Sequence, residues 1–237
     1  MFSSSSDSTI SMFDRFRHRS SQLERLDIGA YTDDEYAKWQ IEMRLIHRTL
    51  GEMRALRKSL FKDILSNGTN HVSILDVAAG SGNLLQEIRK RLATRNPFLV
   101  GAELDISAAK TIREASIDAV CCDALRLPFS NASFDFVTCS LFLHHLADDS
   151  AVQLLKEMRR VSRMKVIVID LHRSPVAYYF YRTVAPLMFQ RFTSEDGALS
   201  ILRSFKPHEL QELAEAAGLK NIAIQRSASY RLVLSGN

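Results

Sequence analysis

From about residue 72 onward, short apolar runs alternate with amphipathic stretches. Runs near 72–77, 98–103, 117–122, 134–139 and 165–171 read as strands, and the segments between them as helices. Such alternation implies a parallel sheet wound by right-handed crossovers. A further helix opens at Pro207 and runs through Ala217, Gly218 ends it, and strand-like runs follow at 221–225 and 230–234. Ahead of the sheet, from Asp33 to about Leu65, the period becomes helical, and Thr32 with Glu35 forms a capping box for the first helix. Trp39, Met43, Ile46, Leu50 and Met53 recur at steps of three and four, so this stripe must cover something. It packs on the helical layer of the sheet, closes over a crevice as a lid, or does both, in which case Trp39 reports on closure. Residues 1–22 are rich in Ser and Arg and read as disordered. Their cations Arg15, Arg17, His18 and Arg19 suit an address or an anionic surface, but Asp7 and Asp14 argue against a transit peptide, and no secretory signal is evident.

Chemistry gathers at the ends of these strands. The stretch Ile74 to Leu84, ILDVAAGSGNL, carries an apolar strand to Asp76, passes Gly80 and Gly82, and enters a helix. Glycine enters positive φ cheaply and lets a ligand approach the backbone, so the stretch reads as a nucleotide-cofactor loop, with a bland strand-to-helix turn as its alternative. The second strand ends in Glu103, which suits a pair of ribose hydroxyls, with Asp105 as rival. The third ends in Cys121, Cys122 and Asp123, and the fourth is FDFVTCSLFLHHL, Phe134 to Leu146. The four strand ends converge on one crevice.

With these residues in view, the chain from about Val72 onward resembles the class I S-adenosylmethionine-dependent methyltransferases. Asp76, Gly80 and Gly82 match the family's first motif, and Ala78 stands where its first glycine is usual, as in some quinone methyltransferases. LPFSNASFDFV, Leu127 to Val137, resembles the family's link into its fourth strand. The resemblance implies a Rossmann-like, doubly wound α/β sheet of seven strands in the order 3-2-1-4-5-7-6, strand 7 antiparallel, with helices ahead of it. It implies S-adenosylmethionine as cofactor, bound by Asp76, Ala78, Gly80, Gly82, Glu103, Leu104, Asp123, Ala124 and Ser140, with Glu103 on the ribose and Asp123 at the adenine amino group. The family's usual Lys-Pro-Gly-Gly turn before the fifth strand is replaced by Val161-Ser162-Arg163-Met164-Lys165. The segment 170–210 resembles a bacterial subgroup linked to polyketide or isoprenoid pathways, which implies a phenolic or quinone-like acceptor. The expected organisation is therefore a tail at 1–22, a helical lid at 23–70 and a methyltransferase domain at 71–237, with a substrate-side insertion at 172–205.

Composition narrows this further. A chain of 237 residues, 46% apolar, fits one α/β domain with an appendage. The three cysteines make neither a disulfide framework nor a zinc spacing and suit a reducing cytoplasm, with Cys121 and Cys122 read as core. No metal is expected. YYFYRTVAPLMF is broken by Arg182 and Pro186, so no run reaches the roughly 18 apolar residues of a spanning helix.

A sulfonium donor needs neither metal nor covalent intermediate, but a phenol or carbon acid must lose a proton. His144, His145 and His172 are the candidate catalytic bases, with Asp196 a further one; of His144 and His145, one should face the crevice and the other pack or face solvent. The aromatic residues of the insertion line an acceptor pocket or bury one another. TSEDGALS, 193–200, reads as a polar loop turning at Gly197, which makes Asp196 and Arg203 either site residues or a solvated ion pair. Other classes carry less. A net charge of +4 without a dense basic patch, and the absence of an N/D-P-P-Y/F motif after the fourth strand, disfavour RNA modification. A catalytically silent cofactor-binding module and an NAD enzyme remain as alternatives. Oligomeric state is not legible.

Overall fold

The structure, a computed structural model, describes residues 14–49, 51–66 and 71–237. Its centre is a seven-stranded sheet in the order β3-β2-β1-β4-β5-β7-β6. The strands are β1 (Ser73–Val77), β2 (Phe98–Glu103), β3 (Asp118–Cys121), β4 (Phe134–Ser140), β5 (Ser162–Leu171), β6 (Ala223–Ser227) and β7 (Arg231–Gly236). The first five pair in parallel and β7 runs antiparallel to β5 and β6, as expected. The central strands are buried on both faces, which is why they read as continuous apolar runs rather than alternating ones.

Helices α4 (Asn83–Arg91), α5 (Ile106–Glu114), α6 (Asp148–Val161) and α9 (Pro207–Ala216) cover the sheet. One core holds Leu154, Leu155 and Met158 of α6 with Leu210 and Ala214 of α9. The other holds Leu85 and Ile88 of α4, Ile112 of α5 and residues of the N-terminal helices. Those are α1 (Asp33–Thr49), α2 (Glu52–Leu56) and α3 (Lys62–Ser66), the last two joined by a π-helical turn at Arg57–Phe61. The capping box of α1 is present: Glu35 N–H donates to Thr32 Oγ1 at 3.2 Å and Thr32 N–H to Glu35 Oε2 at 2.9 Å. In the stripe, Ile46 is buried and Trp39, Met43 and Met53 are partly so, while Leu50 lies outside the described residues.

Several boundaries differ from the sequence reading. β5 starts at Ser162, directly after α6, so no separate turn is needed where the glycines are missing. The last two strands each begin one or two residues later than read. Cys121 is exposed, its thiol directed at the Leu104 carbonyl, because β3 is an edge strand, and so is not core as read; Cys122 is partly buried and packs against the core.

The largest correction concerns TSEDGALS. It forms the middle of α8 (Arg191–Arg203), which packs on α7 (Pro175–Met188). Apart from Glu195, which is exposed and pairs with Arg191, its polar side chains are buried: Ser200 donates to the Asp196 carbonyl at 2.9 Å, and Asp196 accepts the backbone N–H of Arg25 and Leu26, both at 3.0 Å. Gly197 makes no turn. It lets α7 approach, since a Cβ there would sit 2.2 Å from Tyr181 Oη.

Within the expected tail, residues 1–13 lie outside the described residues. Residues 14–22 run along α7 and α8, where Phe16 is buried against Tyr178 and Tyr179. Arg19 lies over the Phe205 ring, 3.7 Å from its centroid, and donates to the carbonyls of Arg203 at 2.6 Å and Leu146 at 2.8 Å. Its charge serves an internal contact rather than an outside surface.

Candidate active site

β1 lies between β2 and β4 in register, Asp76 opposite Gly101 and Thr138, and β2 pairs Glu103 with Cys121. The expected cofactor residues therefore meet at the carboxyl ends of the strands, where ligands of open α/β sheets bind. The loop after β1 is left-handed at Ala78 (φ 55°), Gly80 (φ 53°) and Gly82 (φ 74°). At Gly82 a Cβ would also press on Ile112 Cγ1 at 2.9 Å, which fixes how closely α5 approaches. Over Gly80 the space is open, with nothing within 4 Å of the Cβ position. Ala78 holds a conformation that strongly prefers glycine, so the alanine there is strained.

The acids differ in their surroundings. Asp76 is 2% exposed and accepts the Thr138 hydroxyl at 2.8 Å. Burial pushes its carboxyl up to about 8, the Thr138 bond pulling the other way. Glu103 accepts the backbone N–H of Gly80 at 2.7 Å, of Leu104 at 2.8 Å and of Asp105 at 3.2 Å, so it organises the loop it belongs to and keeps lone pairs for a ligand. Its rival Asp105 is the N-cap of α5, taking the Ala108 N–H at 2.7 Å. Asp123 accepts the Leu125 N–H at 2.8 Å and stays exposed beside Ala124. Ser140 donates to Glu52, a buried acid at the start of α2 that also bonds His47 Nδ1 at 2.6 Å. Burial raises the Glu52 carboxyl, yet His47 and Arg231 outweigh it and hold it below its ordinary value.

Behind β4, residues Leu143–His145 form one 3-10 turn that carries both histidines inward. His144 Nδ1 meets Asp170 Oδ1 at 2.6 Å, and Asp170 Oδ2 accepts the His144 N–H at 2.9 Å. His145 Nδ1 meets Asp27 Oδ1 at 2.7 Å. The Nε2 atoms of both turn toward Glu24, 3.8 Å from Oε1 and 4.0 Å from Oε2 respectively. Arg203 pairs with Asp27 and donates to the His145 carbonyl at 2.8 Å. It is buried and bound to Asp27, so the solvated pair with Asp196 does not form. Burial pushes the Glu24 carboxyl up to about 7, against His145, Ser200 and Arg203.

His172 stands apart from this cluster. It lines a separate cleft with Ser174, Arg226, Ser227, Ser229 and Tyr230, and burial together with Arg226 and Arg173 lowers its pKa. The insertion's aromatic residues divide: Tyr178 and Phe192 are buried and Tyr181 donates to the Thr193 carbonyl at 3.0 Å, while Phe180 and Met188 are exposed. Phe192 joins Tyr31, Tyr36 and Trp39 in a stack with centroid separations of 5.1 to 6.3 Å, which ties α1 to α8. Glu24, Asp27, Glu52 and Asp170 were not among the site residues read from the sequence. Asp170, ending the apolar run VIVID, carried the one local signal, an acid at a strand's end.

The sheet order, the left-handed loop and the acidic strand ends define a cofactor-binding α/β enzyme. Residues 74–165 match the family described as Methyltransferase domain. A demethylmenaquinone methyltransferase of Deinococcus radiodurans is 29% identical over 218 residues, covering 83% of this chain and 88% of that one. A ubiquinone/menaquinone biosynthesis C-methyltransferase of Cupriavidus necator is 30% identical, covering 63% of this chain and 68% of the relative. The fold is shared with a methyltransferase structure from Thermotoga maritima at a TM-score of 0.61 and 18% identity, over 86% of this chain and 94% of that one. The chain belongs to the class I S-adenosylmethionine-dependent methyltransferases. The NAD reading is thereby set aside.

Proposed function

We propose that this enzyme methylates a small, apolar phenolic or quinone-like acceptor, in keeping with its similarity to demethylmenaquinone and ubiquinone/menaquinone methyltransferases. What supports the reading is the crevice, which fits the cofactor: a buried Asp76 with no cationic partner among the described residues, beside open space over Gly80. S-adenosylmethionine supplies an activated methyl group, so in-line displacement requires alignment above all, worth about 7 to 11 kcal/mol when reactants are well held. In this reading Asp76 takes the ammonium, Glu103 the ribose hydroxyls and Asp123 the adenine amino group. Backbone at Ala78, Gly80 and Gly82 lies along the ligand, with Leu104, Ala124 and Ser140 beside it. Helix α1 serves as the lid, consistent with Tyr36 lying near enough to Glu103 and Asp105 for their charges to raise its phenol pKa after burial has done so.

The acceptor's proton goes to the cluster behind β4. A carboxylate at each Nδ1 holds the hydrogen there and leaves the Nε2 lone pairs of His144 and His145 as proton acceptors. His172, in its own cleft, is the weaker candidate. The test is calorimetric titration with S-adenosylmethionine and S-adenosylhomocysteine, NAD serving as control, followed by a methyl-transfer screen of quinols and phenols. Micromolar binding of the first two and transfer to a quinol is expected. Binding of NAD alone, or transfer to RNA in preference to quinols, would overturn the reading.

A further inference from the structure

The cluster of Glu24, His144 and His145 has a geometry that proton transfer alone does not account for. Its three ligand atoms lie within 4.8 Å of one another, and Glu24 and His144 are each only 3% exposed. Glu24 Oε1 has no hydrogen-bond partner among the described residues. The separations of 3.8 and 4.0 Å between Glu24 and the two Nε2 atoms are too long for hydrogen bonds. They suit atoms arranged around an ion, since ligands about 2.1 Å from a tetrahedral centre stand roughly 3.4 Å apart. Arg203 does not fill the gap: its nearest nitrogen is 3.9 Å from Glu24 and is committed to Asp27.

The outer contacts point the same way. Each imidazole has its Nδ1 held by a carboxylate, Asp170 for His144 and Asp27 for His145, an arrangement that orients histidines toward a metal. The two imidazole rings stand side by side, their centroids 4.3 Å apart, so both Nε2 atoms face the same carboxylate.

We propose that Glu24, His144 Nε2 and His145 Nε2 bind a divalent first-row transition-metal ion, with Asp170 and Asp27 orienting the two histidines. The two-nitrogen, one-oxygen set favours zinc, iron(II), cobalt or manganese over calcium or magnesium. Three protein ligands leave at least one position for water or an acceptor oxygen. The ion also pins residues 24–27 to the end of β4. Metal and proton compete for the two Nε2 lone pairs, so the ion is read by its own titration and not by methyl transfer.

The test uses the full chain without a histidine tag, stripped with chelator and titrated with ZnCl2 by calorimetry and with CoCl2 by visible absorption. One equivalent of each is expected, the cobalt form showing ligand-field bands without thiolate charge transfer. Glu24→Gln and His144→Ala weaken zinc binding at least tenfold, and Asp27→Asn by about ten- to a hundredfold. Cys121→Ser with Cys122→Ser leaves it unchanged. Circular dichroism establishes that each variant is folded, and where Glu24→Gln is not, Asp27→Asn with its cobalt spectrum decides. Absence of binding, equal affinity in the folded Glu24→Gln and Asp27→Asn variants, or loss in the cysteine variant overturns the site.

Discussion

Glu103 and Asp105 stand two residues apart and do different work. Glu103→Ala removes a charged acceptor from the loop and the ribose site, so cofactor affinity falls by about 1.5 to 3 kcal/mol in calorimetry. Asp105→Ala removes the N-cap of α5, costing about 1 kcal/mol in urea unfolding with affinity unchanged. If both variants lose affinity equally, the ribose assignment is wrong. Ala78 gives a second case. At φ 55° an alanine is strained by about 1 to 2 kcal/mol, of which glycine's greater freedom in the unfolded chain gives back roughly half. Ala78→Gly is expected to raise unfolding free energy by up to about 1 kcal/mol; a fall would mean that the loop is not strained there. The strand-end acids were legible because each follows its own apolar run. Glu24 and Asp27 were not, because their histidine partners lie more than a hundred residues further along, 118 in the case of Asp27 and His145, and no local pattern carries such a pairing.

Among the elements, α8 shows where local reading fails. Serine, threonine, aspartate and glycine together signal a loop only when they face water, and here they face α7 and the segment at 24–27. Gly197→Ala forces the Tyr181 ring to move and breaks its bond to the Thr193 carbonyl. Overpacking of this kind costs about 1 to 3 kcal/mol, read as a lower melting temperature. A smaller partner, as in Tyr181→Ala, should relieve the added cost in the double variant, whereas plain additivity would disconnect the two positions. The central strands were legible, since burial on both faces leaves continuous apolar runs. Boundaries slipped where a strand begins at once after a helix, as β5 does, because no turn residue marks the junction.

At the scale of the whole molecule, pH separates folding from binding. In the chelator-stripped chain Asp76 and Glu24 have folded pKa values of about 8 and about 7, above their ordinary 3.8 and 4.5. Between these limits the folded chain holds more protons than the unfolded one, so their contribution to stability is greatest below about pH 4 and is lost as pH rises toward 8. Binding of the cofactor's ammonium favours ionised Asp76, so its affinity should rise with pH over 6 to 8, by at most about tenfold per unit. Melting curves and titrations across that range check both slopes, and a cofactor affinity that is flat from pH 6 to 8 would remove Asp76 from the ammonium site.

The strap formed by Arg19, Glu24 and Asp27 has a consequence for how the protein is made. These residues leave the ribosome early, while the groups that receive them, from His144 to Arg203, follow more than a hundred residues later. Until then two acids and a guanidinium wait in water, and the nascent sheet can assemble around β1 and β4 without them. A segment synthesised early thus docks late, and it closes the cluster only after its partners behind β4 and on α8 have been made.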